Sequence, residues 1–199
     1  MNTVGIRNYN PEMEYRRFGK TEQWLSAITI GGMRFDESSG QPRDELSPRL
    51  IDHCAEVAQL ALDHGINHIE TAYGYGKSEH AYGKALGDVL QVPRDRYVLM
   101  TKGKRGTASA MRQLVEEQLK ALRTDHIDLY GMHGINLPEH VSELCATGGA
   151  VEELHKMAAE GMICFKPKAI GSRELSRRPR RWQKPMKQKP LADFRSSAS

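Results

Sequence analysis

Four ionisable side chains stand at the ends of three predicted β-strands. Glu70 and Tyr75 lie in ETAYGYGKSE, Lys102 follows YVLMT, and His133 follows IDLYGM. A lysine ammonium next to a tyrosine favours the phenolate and lowers the pKa of the phenol from about 10. A carboxylate can hold the ammonium in place, and a histidine can donate a hydrogen bond to a substrate oxygen. If the four meet, they could protonate a carbonyl oxygen while hydride reaches its carbon, which joins general acid catalysis to oxyanion stabilisation.

Taken singly, each of these residues has an ordinary structural explanation. A tyrosine in a glycine-rich loop usually packs against its neighbours, and a lysine after a strand is usually solvated. A histidine can be satisfied near a core, and a carboxylate at a strand end can cap nearby backbone. The catalytic hypothesis therefore depends on the recurrence of the four residues at equivalent points of successive segments.

The first of these segments also contains GKS at 76–78, the ending of a phosphate-binding loop. That loop requires Gly-x-x-x-x-Gly-Lys-Ser/Thr, so that backbone N–H groups surround the phosphates, and its first glycine would have to stand at Thr71. The dinucleotide fingerprint Gly-x-Gly-x-x-Gly is missing as well, because Glu79 occupies its third position. The segment therefore favours tyrosine chemistry over phosphate binding.

The composition is that of an ordinary globular protein. The chain has 199 residues, of which 39% are hydrophobic and 27% charged, which suits one sizeable domain. Cys54, Cys145 and Cys164 are far apart and form no Cys-x-x-Cys pair, which argues against a disulfide framework or a metal site. With no signal pattern and no apolar run near the roughly 18–20 residues of a membrane span, we expect a cytoplasmic protein.

The charge is unevenly distributed. The whole chain has a formal net charge of +4. Residues 166–199 contain eleven lysines and arginines and only two acidic residues, so residues 1–165 are net acidic. An asymmetry of this kind can mark an arm that binds nucleic acid or acidic partners.

Strand-like and helix-like segments alternate along the chain. A hairpin with a following strand is predicted within 14–35, strands over 66–70, 97–101 and 127–132, and helices over 47–65, 78–90, 107–123 and 149–160. Such alternation implies a parallel sheet, either doubly wound or a (β/α)8 barrel. In a barrel, chemistry gathers at the carboxyl ends of the strands, where the four ionisable residues are predicted to lie.

Three motifs resemble one enzyme family. ETAYGYGKSEHAYGKAL at 70–86 is similar to Asp-Thr-Ala-x-x-Tyr-Gly-x-Ser-Glu, VLMTKGK at 98–104 to a strand that ends in Thr-Lys, and DLYGMH at 128–133 to Asp-Leu-Tyr-x-x-His. These patterns, in this order, are those of the aldo-keto reductases, and the resemblance covers roughly residues 14–163. It implies a (β/α)8 (TIM-type) barrel that reduces aldehydes or ketones with NADPH.

The resemblance also implies roles for single residues. Tyr75 would be the general acid, with Lys102 and His133 beside it. Glu70 stands where the family has Asp, which keeps the charge and adds one methylene. The strand TIGGM is similar to the family's glycine-containing strand near the nicotinamide. This similarity predicts Gly32 and Met33 as cofactor-binding residues, and no metal is implied.

The resemblance ends within the sequence MICFKPKAIGS, where a fifth strand begins. We therefore expect about the first four to five β/α units of a barrel in residues 1–165 and a disordered basic tail in 166–199. In the family, most groups that hold the adenosine and phosphates of NADPH lie in the last two units. We accordingly expect little or no reductase activity from this chain alone.

Three interpretations of the tail stay open. It can be the out-of-frame remnant of a longer gene, which we favour because the motif breaks in mid-strand. It can be a basic arm for nucleic acid, which its few aromatic residues disfavour. Alternatively, a complementing chain can supply the other units of the barrel.

Overall fold

A small antiparallel hairpin comes first in the computed structural model, which describes residues 5–35 and 42–165. Strand β1 (Tyr15–Arg17) pairs with β2 (Trp24–Ser26), as predicted. The hairpin is tied to the rest of the chain by Asn67, whose side-chain oxygen accepts a hydrogen bond of 2.8 Å from the Ser26 amide. Leu25 packs against Val98 and Leu129, so the hairpin covers part of one face of the main sheet.

The main sheet is parallel and contains five strands in the order in which they occur along the chain. They are β3 (Ile30–Gly31), β4 (His68–Glu70), β5 (Val98–Gly103), β6 (Ile127–Met132) and β7 (Ile163–Phe165). In a doubly wound sheet the strand order reverses at a switch point. Within the described ranges each strand instead adds to the same side of its predecessor, which is the order of a barrel. The barrel-type α/β fold predicted from the sequence is therefore confirmed, with an incomplete set of strands in the described part.

Five α-helices lie between the strands in the part of the chain that the structure describes. They are α1 (Pro48–Asp63), α2 (Ser78–Gly83), α3 (Ala108–Leu122), α4 (Pro138–Leu144) and α5 (Ala150–Ala159). Helix α1 begins as the sequence predicts, because Ser47 Oγ accepts the Leu50 amide at 3.1 Å and Pro48 takes the first helical position. Thr107 caps α3 in the same way. Helix α4 was not predicted.

The helix predicted over 78–90 is present, but its second half is not α-helical. After Gly83 the chain continues as a π-helix over Lys84–Val89. A π turn holds more residues than an α turn, so the positions after Gly83 are displaced around the helix axis. Val89, the last residue of the π-helix, is 50% exposed.

The main core lies between the sheet and the helices. Its fully buried members come from helices and strands alike, among them Cys54, Ala58, Ile69, Tyr82, Val115, Ile127, Leu154 and Met157. Leu60 of α1 is apolar, but it is 62% exposed and does not join this core. The stripe that packs against the sheet passes through Leu50, Cys54, Ala58 and Ala61 instead, and Leu60 lies to one side of it.

The described residues all belong to one compact unit, Met1–Lys168. The proposed boundary at 165 stays a prediction, and the basic tail at 166–199 lies outside the described ranges. Within those ranges, no helix is long and apolar enough to cross a bilayer.

Candidate active site

The four predicted residues come together at the carboxyl ends of β4, β5 and β6. Glu70 is the last residue of β4, Lys102 lies near the end of β5, and His133 follows β6 directly. Tyr75 lies in the loop after β4. The carboxyl ends of these neighbouring strands meet at one edge of the sheet, as the alternation of strands and helices predicts.

Lys102 is the centre of the cluster. Its Nζ forms an ion pair with Glu70 Oε1 and donates a hydrogen bond of 3.0 Å to the Thr71 carbonyl. It also lies 4.6 Å from the centre of the Tyr75 ring, within the range of a cation–π interaction. Burial lowers the pKa of the Lys102 ammonium from its ordinary value, whereas the neighbouring carboxylate acts in the opposite direction.

Tyr75 and His133 meet edge to face. Their ring centroids lie 5.6 Å apart, with the planes at 86°. Tyr75 is half-buried, and His133 is exposed at the rim of the site. The Tyr75 ring thus contacts both a cation and an imidazole, and His133 remains accessible to a molecule that enters from solvent.

Glu70 occupies a position where the family has the shorter aspartate, so its contact with Lys102 is of interest. The side chain of Glu70, one methylene longer than aspartate, still reaches Lys102 as an ion pair. The parallel register places Glu70 opposite Met100, two residues before Lys102 on β5. The longer side chain therefore spans from the end of β4 toward the end of β5. The catalytic roles of the four residues remain predictions.

Two glycines allow the close contacts of this cluster, and the sequence analysis missed both. A Cβ atom at Gly74 would lie 3.1 Å from His133 Nδ1, and one at Gly131 would lie 3.1 Å from Lys102 Cγ. Any larger residue would push against the histidine or the lysine. The only sequence signal was that each glycine lies within a quoted motif, Gly74 in ETAYGYGKSE and Gly131 in DLYGMH.

Gly32 and Met33 lie beside the end of β4. The Gly32 amide donates a hydrogen bond of 2.8 Å to the Glu70 carbonyl. Gly32 is buried, and a Cβ there would lie 2.0 Å from Ser78 Oγ and 2.8 Å from Tyr82 Cε2. Close packing against α2 therefore explains this glycine without a ligand. Met33, in contrast, is 57% exposed.

A second group of ionisable residues lies at the other end of β6. One ligand atom from each of His126, Asp128 and Cys164 lies within 4.8 Å of the others. Asp128 is already engaged, since its Oδ2 accepts hydrogen bonds from Arg94 at 2.6 Å and from the Leu99 amide at 2.9 Å. Arg7 Nη1 lies 2.9 Å from the other oxygen, Oδ1. Two guanidinium groups at one carboxylate make this an arginine site and a poor place for a cation.

Comparisons with known proteins agree with the geometry. The family model "Aldo/keto reductase family" matches residues 27–171. "Aldo-keto reductase YhdN" of Bacillus subtilis is 34% identical over 168 residues, which cover 77% of this chain and 47% of that protein. The chain therefore spans about half the length of this curated relative.

Solved structures give the same result. A Pseudomonas aeruginosa protein assigned to the aldo-keto reductases matches with a TM-score of 0.62 and 28% identity over 75% of this chain and 57% of that one. An aldo/keto reductase from Klebsiella pneumoniae in complex with NADP and acetate matches with a TM-score of 0.56 and 27% identity, over 75% and 47% of the two chains. On the strength of the family match over most of its described residues, the chain belongs to the aldo/keto reductase family.

Proposed function

We propose that the described part of this chain carries the proton-transfer half of an NADPH-dependent carbonyl reductase. The observation that carries the proposal is the contact of Lys102 with both Glu70 and Tyr75 at the carboxyl ends of the strands. Aldehydes and ketones are the substrate class that this chemistry serves, because their oxygen must gain a proton as the carbon is reduced.

In the proposed reaction each residue has a separate role. The Tyr75 hydroxyl donates the proton to the carbonyl oxygen, and the Lys102 ammonium stabilises the phenolate that remains. Glu70 and the Thr71 carbonyl hold that ammonium in place. His133, exposed at the rim and in contact with the Tyr75 ring, orients the carbonyl by donating a hydrogen bond to its oxygen.

We place the nicotinamide ring against the exposed residues beside the end of β4. Gly31 is exposed, and a Cβ there would approach Glu70 Oε2 to 3.7 Å. The exposed Met33 side chain follows two residues later. Met33 would contact the ring through its side chain, Gly32 would keep this segment close to β4, and NADPH when bound would supply the hydride. We propose NADPH as the cofactor because a structural neighbour in the family was solved with NADP.

Closure of the barrel is the further requirement of this proposal. Strand β3 pairs only with β4 among the described residues, and an apolar groove of about 510 Å³ lies next to it. Ile28 and Leu60 line this groove and are 57% and 62% exposed. In a closed barrel the last strand pairs with the first. We therefore infer that further β/α units cover this groove and complete the cofactor site.

A complementation assay tests the proposal. The 199-residue chain would be produced together with the part of Bacillus subtilis YhdN that follows its match to Phe165. NADPH oxidation would then be measured with an activated aldehyde. We expect turnover from the assembly and little or none from either part alone. Tyr75→Phe should lower kcat by about 10²–10⁴-fold, the usual contribution of general acid catalysis.

The matched control is Tyr9→Phe, which removes a hydroxyl from an exposed tyrosine outside the site. It should leave turnover unchanged. Full turnover by the Tyr75→Phe assembly would contradict the assignment of Tyr75. Turnover by the 199-residue chain alone, lost on Tyr75→Phe, would support the chemistry and contradict the requirement for further β/α units.

A further inference from the structure

One arginine binds the loop that carries Tyr75. Arg43 Nε donates a hydrogen bond to the Gly76 carbonyl and Nη2 donates one to the Tyr73 carbonyl, both at 3.0 Å. Its guanidinium also lies 4.0 Å from the centre of the Tyr73 ring. Arg43 thus contacts the chain on both sides of Tyr75, with a rigid fork of donors that a lysine cannot reproduce.

Arg43 is itself anchored to a buried carboxylate. Its Nη2 lies 2.8 Å from Glu79 Oε2, and Glu79 is fully buried. The other oxygen, Glu79 Oε1, accepts hydrogen bonds of 2.6 Å from the Thr101 hydroxyl and the Gln118 amide. A buried carboxylate whose two oxygens are both bonded has little freedom to move. It gives Arg43 a fixed reference point on the helix-facing side of the sheet.

The same hydrogen-bond network reaches Lys102 from behind. Gln118 Nε2 lies 3.3 Å from the Lys102 carbonyl, which also accepts the Tyr73 amide at 2.9 Å. The side-chain oxygen of Gln118 accepts the Tyr130 hydroxyl at 2.7 Å. One connected set of bonds therefore fixes the backbone of Lys102 and the loop around Tyr75 with respect to each other.

We propose that Arg43 is a positioning residue, whose guanidinium, anchored on Glu79, holds the Tyr73–Gly76 loop so that Tyr75 stays against Lys102 and His133. Arg43 contacts the loop and Glu79, and within the described ranges it contacts neither Lys102 nor His133, so it acts through the loop. The inference rests on the proposed function only in giving Tyr75 a chemical role. The positioning itself can be measured without turnover.

The experiment measures the contact between the Tyr75 and His133 rings by NMR. The full chain, with labelled tyrosine and histidine, should show a nuclear Overhauser effect between the two rings, assigned by its loss in Tyr75→Leu and His133→Gln. We expect Arg43→Gln to abolish this effect. Arg43→Lys should retain part of it, because an ammonium can still pair with Glu79 but cannot serve both carbonyls. The control Arg49→Gln, an exposed position at the start of α1, should leave it unchanged.

Urea unfolding of each variant separates positioning from global stability. A native unfolding profile with a wild-type ring contact in Arg43→Gln would overturn the proposal, as would the absence of that contact in the wild type or its equal loss in Arg49→Gln. If Arg43→Gln does not fold, the ring contact is measured in Arg43→Lys and Glu79→Gln instead. A folded protein with an undiminished ring contact in both variants would overturn the proposal.

Turnover in the complemented assembly supplies a readout that a merely structural role would not move. Arg43→Gln should lower kcat by about 10²-fold with KM little changed, since a displacement of about 1 Å can cost that much. Arg43→Lys should recover part of the loss. An inactive wild-type assembly would contradict the proposed function, and the ring contact would still decide the positioning. An unchanged kcat in a folded, active Arg43→Gln assembly would overturn the proposal that Arg43 positions Tyr75.

Discussion

The two faces of the parallel sheet differ in what they are built to do. The face toward the helices carries the main core, with Ile69, Leu99 and Tyr130 buried. The other face carries a small apolar cluster of Leu25, Val98 and Leu129. In the strands it also bears the ionisable residues: His68 and Glu70 alternate with Ile69 along β4.

This difference separates stability from chemistry. Apolar burial against the helices supplies most of the folding free energy, while the opposite face pays a desolvation cost for His68, Glu70 and Lys102. The hydrogen bonds of Glu79 to Thr101 and Gln118 lie in the helix-facing layer. They are connected to the opposite face because Gln118 also contacts the Lys102 backbone. Changes on the two faces should therefore affect different measurements.

The largest effect on stability is expected from the helix-facing core. Leu154 on α5 is fully buried, so Leu154→Ala should lower the free energy of unfolding by about 2–5 kcal/mol through lost transfer energy and a cavity. The control Leu137→Ala, at a position that is 54% exposed, should change it far less. Urea unfolding followed by circular dichroism measures both. Equal losses in the two variants would contradict the proposed division between the faces.

The sequence predicted the elements of this core well, because their signals are local. Ser47 and Pro48 mark the start of α1 by their own chemistry, and the residues around Val115 repeat at helical spacing. The carboxyl-end cluster was predictable for a related reason. Parallel strands joined by helices must align their ends, so residues that recur at strand ends meet at one edge.

The parts that could not be predicted depend on contacts between distant segments. Arg43 stands in a polar loop, and nothing local indicates that its guanidinium will stack on Tyr73 and pair with Glu79. The π-helical turn after Gly83 is a similar case. A Cβ at Gly83 would lie 2.0 Å from the Ala121 carbonyl oxygen of α3. No local sequence pattern predicts that another helix approaches so closely.

An intermediate effect, dependent on pH, is expected from His68 on the opposite face. Its Nδ1 lies 2.8 Å from the Thr29 hydroxyl, and its buried Nε2 has no hydrogen-bond partner among the described residues. Burial is the main cause that lowers the pKa of His68 from 6.5 to about 4, with Lys102 acting in the same direction and Asp128 against it. The folded state thus binds fewer protons than the unfolded state between these values.

Stability should therefore be greatest above pH 6.5 and fall as the pH falls toward 4, by up to about 3 kcal/mol from this group. His68→Gln should flatten that slope in urea unfolding measured at several pH values. The control His64→Gln, at the exposed end of α1, should retain it. A slope that is unchanged in His68→Gln would assign the pH dependence to other groups.

The smallest effect on stability is expected at the site itself, where the effect on activity is greatest. Lys102 and Glu70 are partly buried, with side chains 15% and 23% exposed, so their ion pair only partly offsets the desolvation of two charges. Replacing both groups in Glu70→Gln/Lys102→Met removes that cost and leaves no unpaired charge. We expect the free energy of unfolding to change by less than about 1 kcal/mol, in either direction. The single variant Lys102→Met, which leaves the carboxylate without its partner, should be the less stable of the two.

Turnover in the complemented assembly should nevertheless be lost in both, because Tyr75 then has no ammonium beside its ring. A double variant that is several kcal/mol less stable than the wild type would mean that this ion pair stabilises the fold. The separation of stability and chemistry between the two faces would then be wrong.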